Sequence, residues 1–179
     1  MWQRFTFYDL RVIGHYLGVL IMWSAALMAA PLVVGLIFQE WDAVSRYLFS
    51  IGIALVSGAT LRFCRIQPGR LNRQQALAVV GFAWIVIGLF CSIPLYLSGH
   101  YITFLDAVFD GVSGITTTGA SLILDLDHLS YADNTFRFMM HLLGGLGLIV
   151  VALSLGMFGK GAGSQLYSSE ARSEHVVPN

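Results

Sequence analysis

Gly114-Ile115-Thr116-Thr117-Thr118-Gly119-Ala120-Ser121 is the stretch that decides the fold. It lies in a segment, Thr103 to Leu124, that is too short and too polar to cross a bilayer, yet hydrophobic segments that can cross flank it on both sides. Hydrocarbon gives a bare backbone no hydrogen-bond partners, so non-helical chain at membrane depth must line a cavity or be buried in protein. The segment therefore reads as a half-helix that dips into the membrane and returns as an extended strand, with the remaining chain as its scaffold.

Composition agrees with a membrane setting. Of 179 residues, 56% are hydrophobic and only 11% charged, and the mean hydropathy is +0.72. A soluble domain carries about 25% charged residues, so the chain is an integral membrane protein. The formal net charge is zero, which favours no nucleic acid. Cys64 abuts an Arg-rich loop and Cys91 lies in an apolar run, a placement that argues against a structural disulfide or metal site. The chain has no Ser/His/Asp, Cys/His or metal-ligand arrangement and no Gly-rich phosphate loop. It is read as a non-enzyme with no catalytic residue and no cofactor.

The fold expected is all-α: two N-terminal transmembrane helices followed by one helix–re-entrant pore loop–helix repeat. Residues 1–11 mix Trp2, Phe5, Phe7 and Tyr8 with Arg4, Asp9 and Arg11, the pattern of a segment resting at the membrane interface. Residues 12–63 hold the two-helix extension. Its first span runs from Val12 to Phe38 with Pro31 inside it, and the acidic loop Gln39-Glu40-Trp41-Asp42 follows. Arg46 and Arg62 bracket the second span, lengthening it by snorkelling. Arg62, Arg65, Arg70 and Arg73 then crowd a loop around Pro68-Gly69, where they either bind anionic headgroups or only fix topology. The repeat covers 74–158: a span from Ala76 to Leu97, the re-entrant loop 103–124 and a span from Phe136 to Phe158. Residues 159–179 form a polar tail.

Charge sets the orientation. With four spans and a re-entrant hairpin both termini share one side, and that side holds Arg4, Arg11, Arg62, Arg65, Arg70, Arg73, Lys160 and Arg172. The other side has Arg46 and Arg137 against Glu40, Asp42, Asp125, Asp127 and Asp133. Positive charge stays inside, which puts both termini in the cytoplasm and has the hairpin enter from outside.

Within the hairpin, Thr103 matches a helix N-cap with Asp106 three residues on. Asp106, Asp110 and Ser113 fall on one face and Phe104, Leu105, Val108, Phe109 and Val112 on another. Gly114 is the expected left-handed C-terminal cap. A helix entering from outside turns its partly negative C-terminus toward the membrane centre, where it favours a cation. The extended Ile115 to Gly119 run can turn carbonyls toward an axis, and rings of such oxygens replace the hydration shell of a potassium-sized ion. Gly119 allows backbone angles that a side chain forbids, and the acidic stretch from Asp125 to Asp133 concentrates cations at the mouth. The bland alternative is a Thr/Gly-rich outer turn.

Asp106-Ala107-Val108-Phe109 followed by Val112 to Ser121 resembles the first pore loop of the Trk/Ktr/HKT superfamily of potassium transporters. Arg137 with Gly144-Gly145-Leu146-Gly147-Leu148-Ile149-Val150 is similar to the pore-lining helix that follows it, and Gln165-Leu166-Tyr167 with Glu170 to the cytoplasmic segment of bacterial Trk members. The resemblance implies four such repeats around one axis, a filter with Gly119 at its centre, and backbone carbonyls of Thr116, Thr117 and Thr118 on the ion. It further implies dimerisation, a cytoplasmic nucleotide-binding regulatory subunit and a bacterial inner-membrane location.

This sequence holds one repeat where the superfamily uses four. Either four copies assemble as a homo-oligomer, or the chain is a piece of a larger transporter, which is the favoured reading. Function follows the same split: potassium uptake, or sodium uptake, through a filter to which the chain gives one strand, or a non-conducting fragment that packs against or regulates a full-length transporter. A secondary transporter that binds substrate at the half-helix is the weakest reading, since no inverted second repeat is seen. Gly144, Gly145 and Gly147 are expected to let a neighbouring helix approach closely, Gly14 and Gly18 to do so weakly. Arg137 is expected to pair with Asp133 or with the hairpin acids, and His141 to be a hydrogen-bonded interfacial residue.

Overall fold

A computed structural model of the chain describes residues 7–63, 73–123, 125–126 and 128–154. Cys64, Arg65, Arg70, Asp127, the start of the interfacial segment and the tail 159–179 lie outside the described residues. Five helices follow one another: α1 (Phe7–Ile37), α2 (Trp41–Arg62), α3 (Arg73–Tyr96), α4 (Phe104–Ile115) and α5 (Tyr131–Ser154). No strand occurs among the described residues. The chain is an all-α membrane protein. Residues up to Gly145 form one compact unit, and the last turns of α5 belong to a second.

Among the described residues three helices, Phe7–Ile37, Trp41–Arg62 and Ala78–Tyr96, are long and apolar enough to cross a membrane. By contrast α4 has 12 residues, about 18 Å at the α-helical rise and well short of the roughly 30 Å hydrocarbon core. α5 begins at Tyr131, five residues before the expected Phe136. The reason is local. Ser130 accepts the backbone N–H of Asp133 at 3.0 Å, a side-chain cap on the first turn. This Ser-x-x-Asp spacing lies outside the apolar run that marks the span in the sequence. The expected end at Phe158 lies outside the described residues.

Small residues set the helix crossings. A Cβ on Gly18 would come 2.7 Å from the Gly58 carbonyl oxygen, and one on Gly58 would come 2.8 Å from that of Gly18, so α1 and α2 touch backbone to backbone. Gly14, its expected companion, faces open space. α3 and α4 meet the same way at Gly88 and Gly111. Ser24, Ser50 and Ser92 are buried in the helices. Each donates to a carbonyl three or four residues back, which leaves no hydroxyl unsatisfied in the apolar interior.

The core joins all five helices around Met28, Tyr47, Leu95, Ala107, Phe136 and Met140. α4 is turned with its small and polar face inward: Ala107, Asp110, Gly111, Ser113 and Gly114 are buried. Its large apolar side chains Phe104, Leu105 and Phe109 are exposed.

Candidate functional site

The loop that follows α4 is held at both ends. At the helix start, Thr103 and Asp106 form the expected reciprocal cap. The Thr103 hydroxyl accepts the Asp106 N–H at 3.3 Å and the Asp106 carboxylate accepts the Thr103 N–H at 2.9 Å. At the helix end the expectation needs correction. Gly114 is not the left-handed residue; Thr117 is, with φ +57. Thr117 N–H donates to the Gly114 carbonyl at 3.1 Å and Thr118 N–H to the Ser113 carbonyl at 2.9 Å, the double closure of a Schellman motif. Gly114 serves by being small, since a Cβ there would sit 3.1 Å from Met140 Cε.

A β-branched residue in the left-handed region is a real outlier. The Thr117 backbone is therefore strained at the loop's tightest point. Thr117→Gly is expected to raise stability by about 1 kcal/mol, since the left-handed conformation costs an L-residue about 1–2 kcal/mol and glycine about nothing. Thermal unfolding in detergent checks this; an unchanged or lower midpoint would show that the threonine methyl or hydroxyl contributes more than the strain costs.

Beyond the cap the backbone is open. Thr116 to Ala120 are exposed. Among the described residues the carbonyls of Thr117, Thr118 and Gly119 accept no hydrogen bond. The Thr116 carbonyl accepts only the Thr117 hydroxyl, at 2.7 Å. Thr116 Oγ1 lies 2.7 Å from the Val112 carbonyl oxygen, to which it donates, and 2.9 Å from Thr118 Oγ1. Gly119 has φ +77, in the left-handed region, with no atom near the place of a Cβ. A side chain there is opposed by backbone angle rather than by space.

The chain is caught again where it leaves the loop. Ser113 Oγ donates to the Ala120 carbonyl at 2.7 Å. Asp110, buried on α4, accepts the Leu122 N–H at 2.8 Å, the Ser121 hydroxyl at 3.0 Å and the Tyr101 hydroxyl at 2.7 Å. Burial first, then the bond to Asp110, pushes the Tyr101 phenol well above its ordinary pKa, so it remains a donor. Of the two partners open to Arg137, the hairpin acid is the one used: Arg137 lies 3.5 Å from Asp110 and donates to Ser121 Oγ at 3.2 Å. Below the cap, a Cβ on Gly144 would overlap the Ile115 carbonyl, and one on Gly145 would rest 3.7 Å from the Thr117 methyl.

Asp133 has another role. It lies in the first turn of α5, fully buried, and is not part of a loose acidic mouth. Its carboxylate receives Arg46 at 3.1 and 3.3 Å, the Tyr47 hydroxyl at 2.7 Å and the Ser130 hydroxyl at 2.8 Å. Arg46 is therefore paired inside the protein instead of snorkelling. Glu40 accepts the N–H groups of Tyr131 at 2.8 Å and Ala132 at 3.0 Å. These orphan amides begin α5, so the α1–α2 turn caps a helix from another part of the chain. An open polar cleft of about 840 Å³ lies here, lined by Glu40, Asp42, Arg46, His100, His128 and Asp133 among others.

Residues 45–176 match the family of cation transport proteins named TrkH. The chain belongs to this family. It is 32% identical to the Trk system potassium uptake protein TrkG of Escherichia coli over 89% of its own length and 33% of the relative's. It is 36% identical to the protein TrkH of Halomonas elongata, over 90% of this chain and 34% of that one. The corresponding values for the protein TrkI of the same organism are 35%, 90% and 33%. This TrkH-family chain thus spans about a third of the length of the curated relatives it matches. The family is one of transporters, not enzymes. The sequence places Asp106, Asp110, Gly114 and Thr116 to Gly119 in one hairpin; the structure sets Gly144 against Ile115 and Gly145 beside the Thr117 methyl, while Asp106 stands in the cap at the opposite end of α4. Gly147 lies beyond the first unit. The roles of Tyr101, Glu40 and the Arg46–Asp133 pair emerge only from the structure.

Proposed function

We propose that the chain contributes one strand of a potassium-selective pathway across the bacterial cytoplasmic membrane. The observation that carries this reading is the pinned loop itself. A half-length helix ends in a closed cap, and the next carbonyls, from Thr117 to Gly119, stand exposed and unbonded between two anchored ends. Oxygens kept free in this way suit an ion that has shed its water. The Thr116 carbonyl keeps a second lone pair for the same use. Asp106, Asp110 and Gly114 support the half-helix, and Gly144 lets the next helix close on it.

One strand cannot encircle an ion. Three more come from further repeats of a longer chain or from copies of this one. The names of the relatives, potassium uptake proteins, support potassium over sodium as cargo. The basic residues gathered on one side support a cytoplasmic position for both termini, where a nucleotide-binding regulatory subunit would dock. The surrounding bilayer covers the apolar outer faces.

A graft tests the reading. With the matching third of E. coli TrkG replaced by this chain, cells lacking other uptake systems are expected to grow at limiting potassium. Gly119→Arg in the graft is expected to abolish that growth, because it forces an unfavourable backbone and places a cation beside the carbonyls. Growth indifferent to Gly119→Arg would remove this strand from the pathway and leave a packing or regulatory role.

A further inference from the structure

Arg137 takes no part in the ion path just described, yet its side chain is only 18% exposed and faces a carboxylate that is 4% exposed. A buried carboxylate stays charged only if it is paired. We infer that Arg137 is a positioning residue: acting through Asp110 and Ser121, it fixes the chain leaving the Thr116–Gly119 loop against α4 and α5. This rests on the reading of that loop as the filter, and it adds the device that sets the filter's place.

Asp110 Oδ1 accepts the Leu122 N–H, while Oδ2 takes the Tyr101 and Ser121 hydroxyls and faces Arg137. All of these partners are donors, so the cluster needs an ionised, acceptor-only carboxylate. Without Arg137 the buried carboxylate loses the cation that faces it. Ser121 Oγ then keeps Asp110 and the Ile123 N–H but loses Arg137, and the anchor of the outgoing chain at Leu122 is weakened with it. Ser121 Oγ links the two charged groups directly, donating to Asp110 and accepting from Arg137 at 3.2 Å.

The same face of α5 touches the hairpin at two further points. Met140 packs on Gly114, and Gly144 lies against the Ile115 carbonyl. Positions 137, 140 and 144 follow the i, i+3, i+7 spacing of one helical stripe. Arg137 thus keys the outgoing chain to the helix on which the incoming half-helix already rests, and a shift of α5 would carry both ends of the loop with it.

Hydrogen exchange on the full chain in nanodiscs decides the inference without requiring that the chain conduct. In Arg137→Gln the Leu122 and Ile123 amides are expected to exchange about tenfold faster, the size of one lost charge-assisted hydrogen bond, while the α1 and α2 amides keep their rates. Arg137→Lys should return both amides to within about twofold of the parent, since it restores the charge. Unchanged rates at Leu122 overturn the inference. So does acceleration across the whole chain, which would make Arg137 a general stabiliser. Should Arg137→Gln fail to accumulate, Ser121→Ala is expected to speed the Leu122 amide severalfold, and no change there overturns it equally. A parent graft in TrkG that takes up no potassium would sink the filter reading and leave the exchange result standing.

Discussion

Asp133→Ala is expected to destabilise the chain by about 3–5 kcal/mol, the usual result of stranding a buried charge. The Asp133 carboxylate accepts Arg46, Tyr47 and Ser130 together, and its side chain is 1% exposed against 16% for Arg46. Alanine takes the acceptor from the Tyr47 and Ser130 hydroxyls and the anion from the Arg46 guanidinium, which keeps only the Asp42 and Pro94 carbonyls. The opposite deletion, Arg46→Met, is expected to cost about as much: Tyr47 and Ser130 still donate to the carboxylate, but it is left buried without its cation. Unfolding in mild detergent, followed through tryptophan fluorescence, gives both values. If Arg46→Met proved nearly neutral, the ion pair would contribute little and Asp133 would be held mainly by the Tyr47 and Ser130 hydroxyls.

Gly144→Leu should have the second large effect, and on a different property. Any Cβ at this position overlaps the Ile115 carbonyl, which is backbone and cannot rotate out of the way as a side-chain tip can. Overfilling a packed site typically costs about 1–3 kcal/mol; with backbone on the other side, the top of that range or beyond is expected. To relieve the overlap α5 must retreat from the end of α4, which also withdraws support from Gly114 and Thr117. The TrkG graft carrying Gly144→Leu is therefore expected to lose potassium-limited growth even at a temperature where the protein still accumulates. Gly145→Ala is the control: its Cβ would meet only the Thr117 methyl at 3.7 Å, an ordinary contact. Growth retained by Gly144→Leu would mean that the helices separate without cost to the loop.

The parts of this architecture that are local in sequence are legible there, and those that depend on packing are not. Thr103 and Asp106 form their cap within three residues, so the start of α4 can be read directly. Its end cannot. Glycine's preference for the left-handed region points to Gly114, but that glycine is needed for closeness to Met140 on α5, and the left-handed angle falls to Thr117, a residue whose own preference opposes it. The sequence marks Arg137 as an ion-pair former, yet the choice between Asp110 and Asp133 depends on which face α5 turns toward the hairpin. Arg46 looks like a residue reaching for the interface because its partner lies 87 residues along the chain. Nothing near Glu40 in sequence announces that it caps α5.

That last separation also has a consequence in time. During synthesis, at about 5–20 residues per second, the 87 residues between Arg46 and Asp133 take roughly 4–17 s to make. Once α2 is complete at Arg62, for most of that interval, the hairpin of α1 and α2 exists with a guanidinium, a phenol and a carboxylate waiting for an element not yet translated. The backbone contact at Gly18 and Gly58 then has a second meaning: it lets the first two helices settle without their eventual partner. α5 arrives at a seat already prepared, with Glu40 to receive its leading amides and Arg46 to receive its acid, and this early template fixes the register in which it docks.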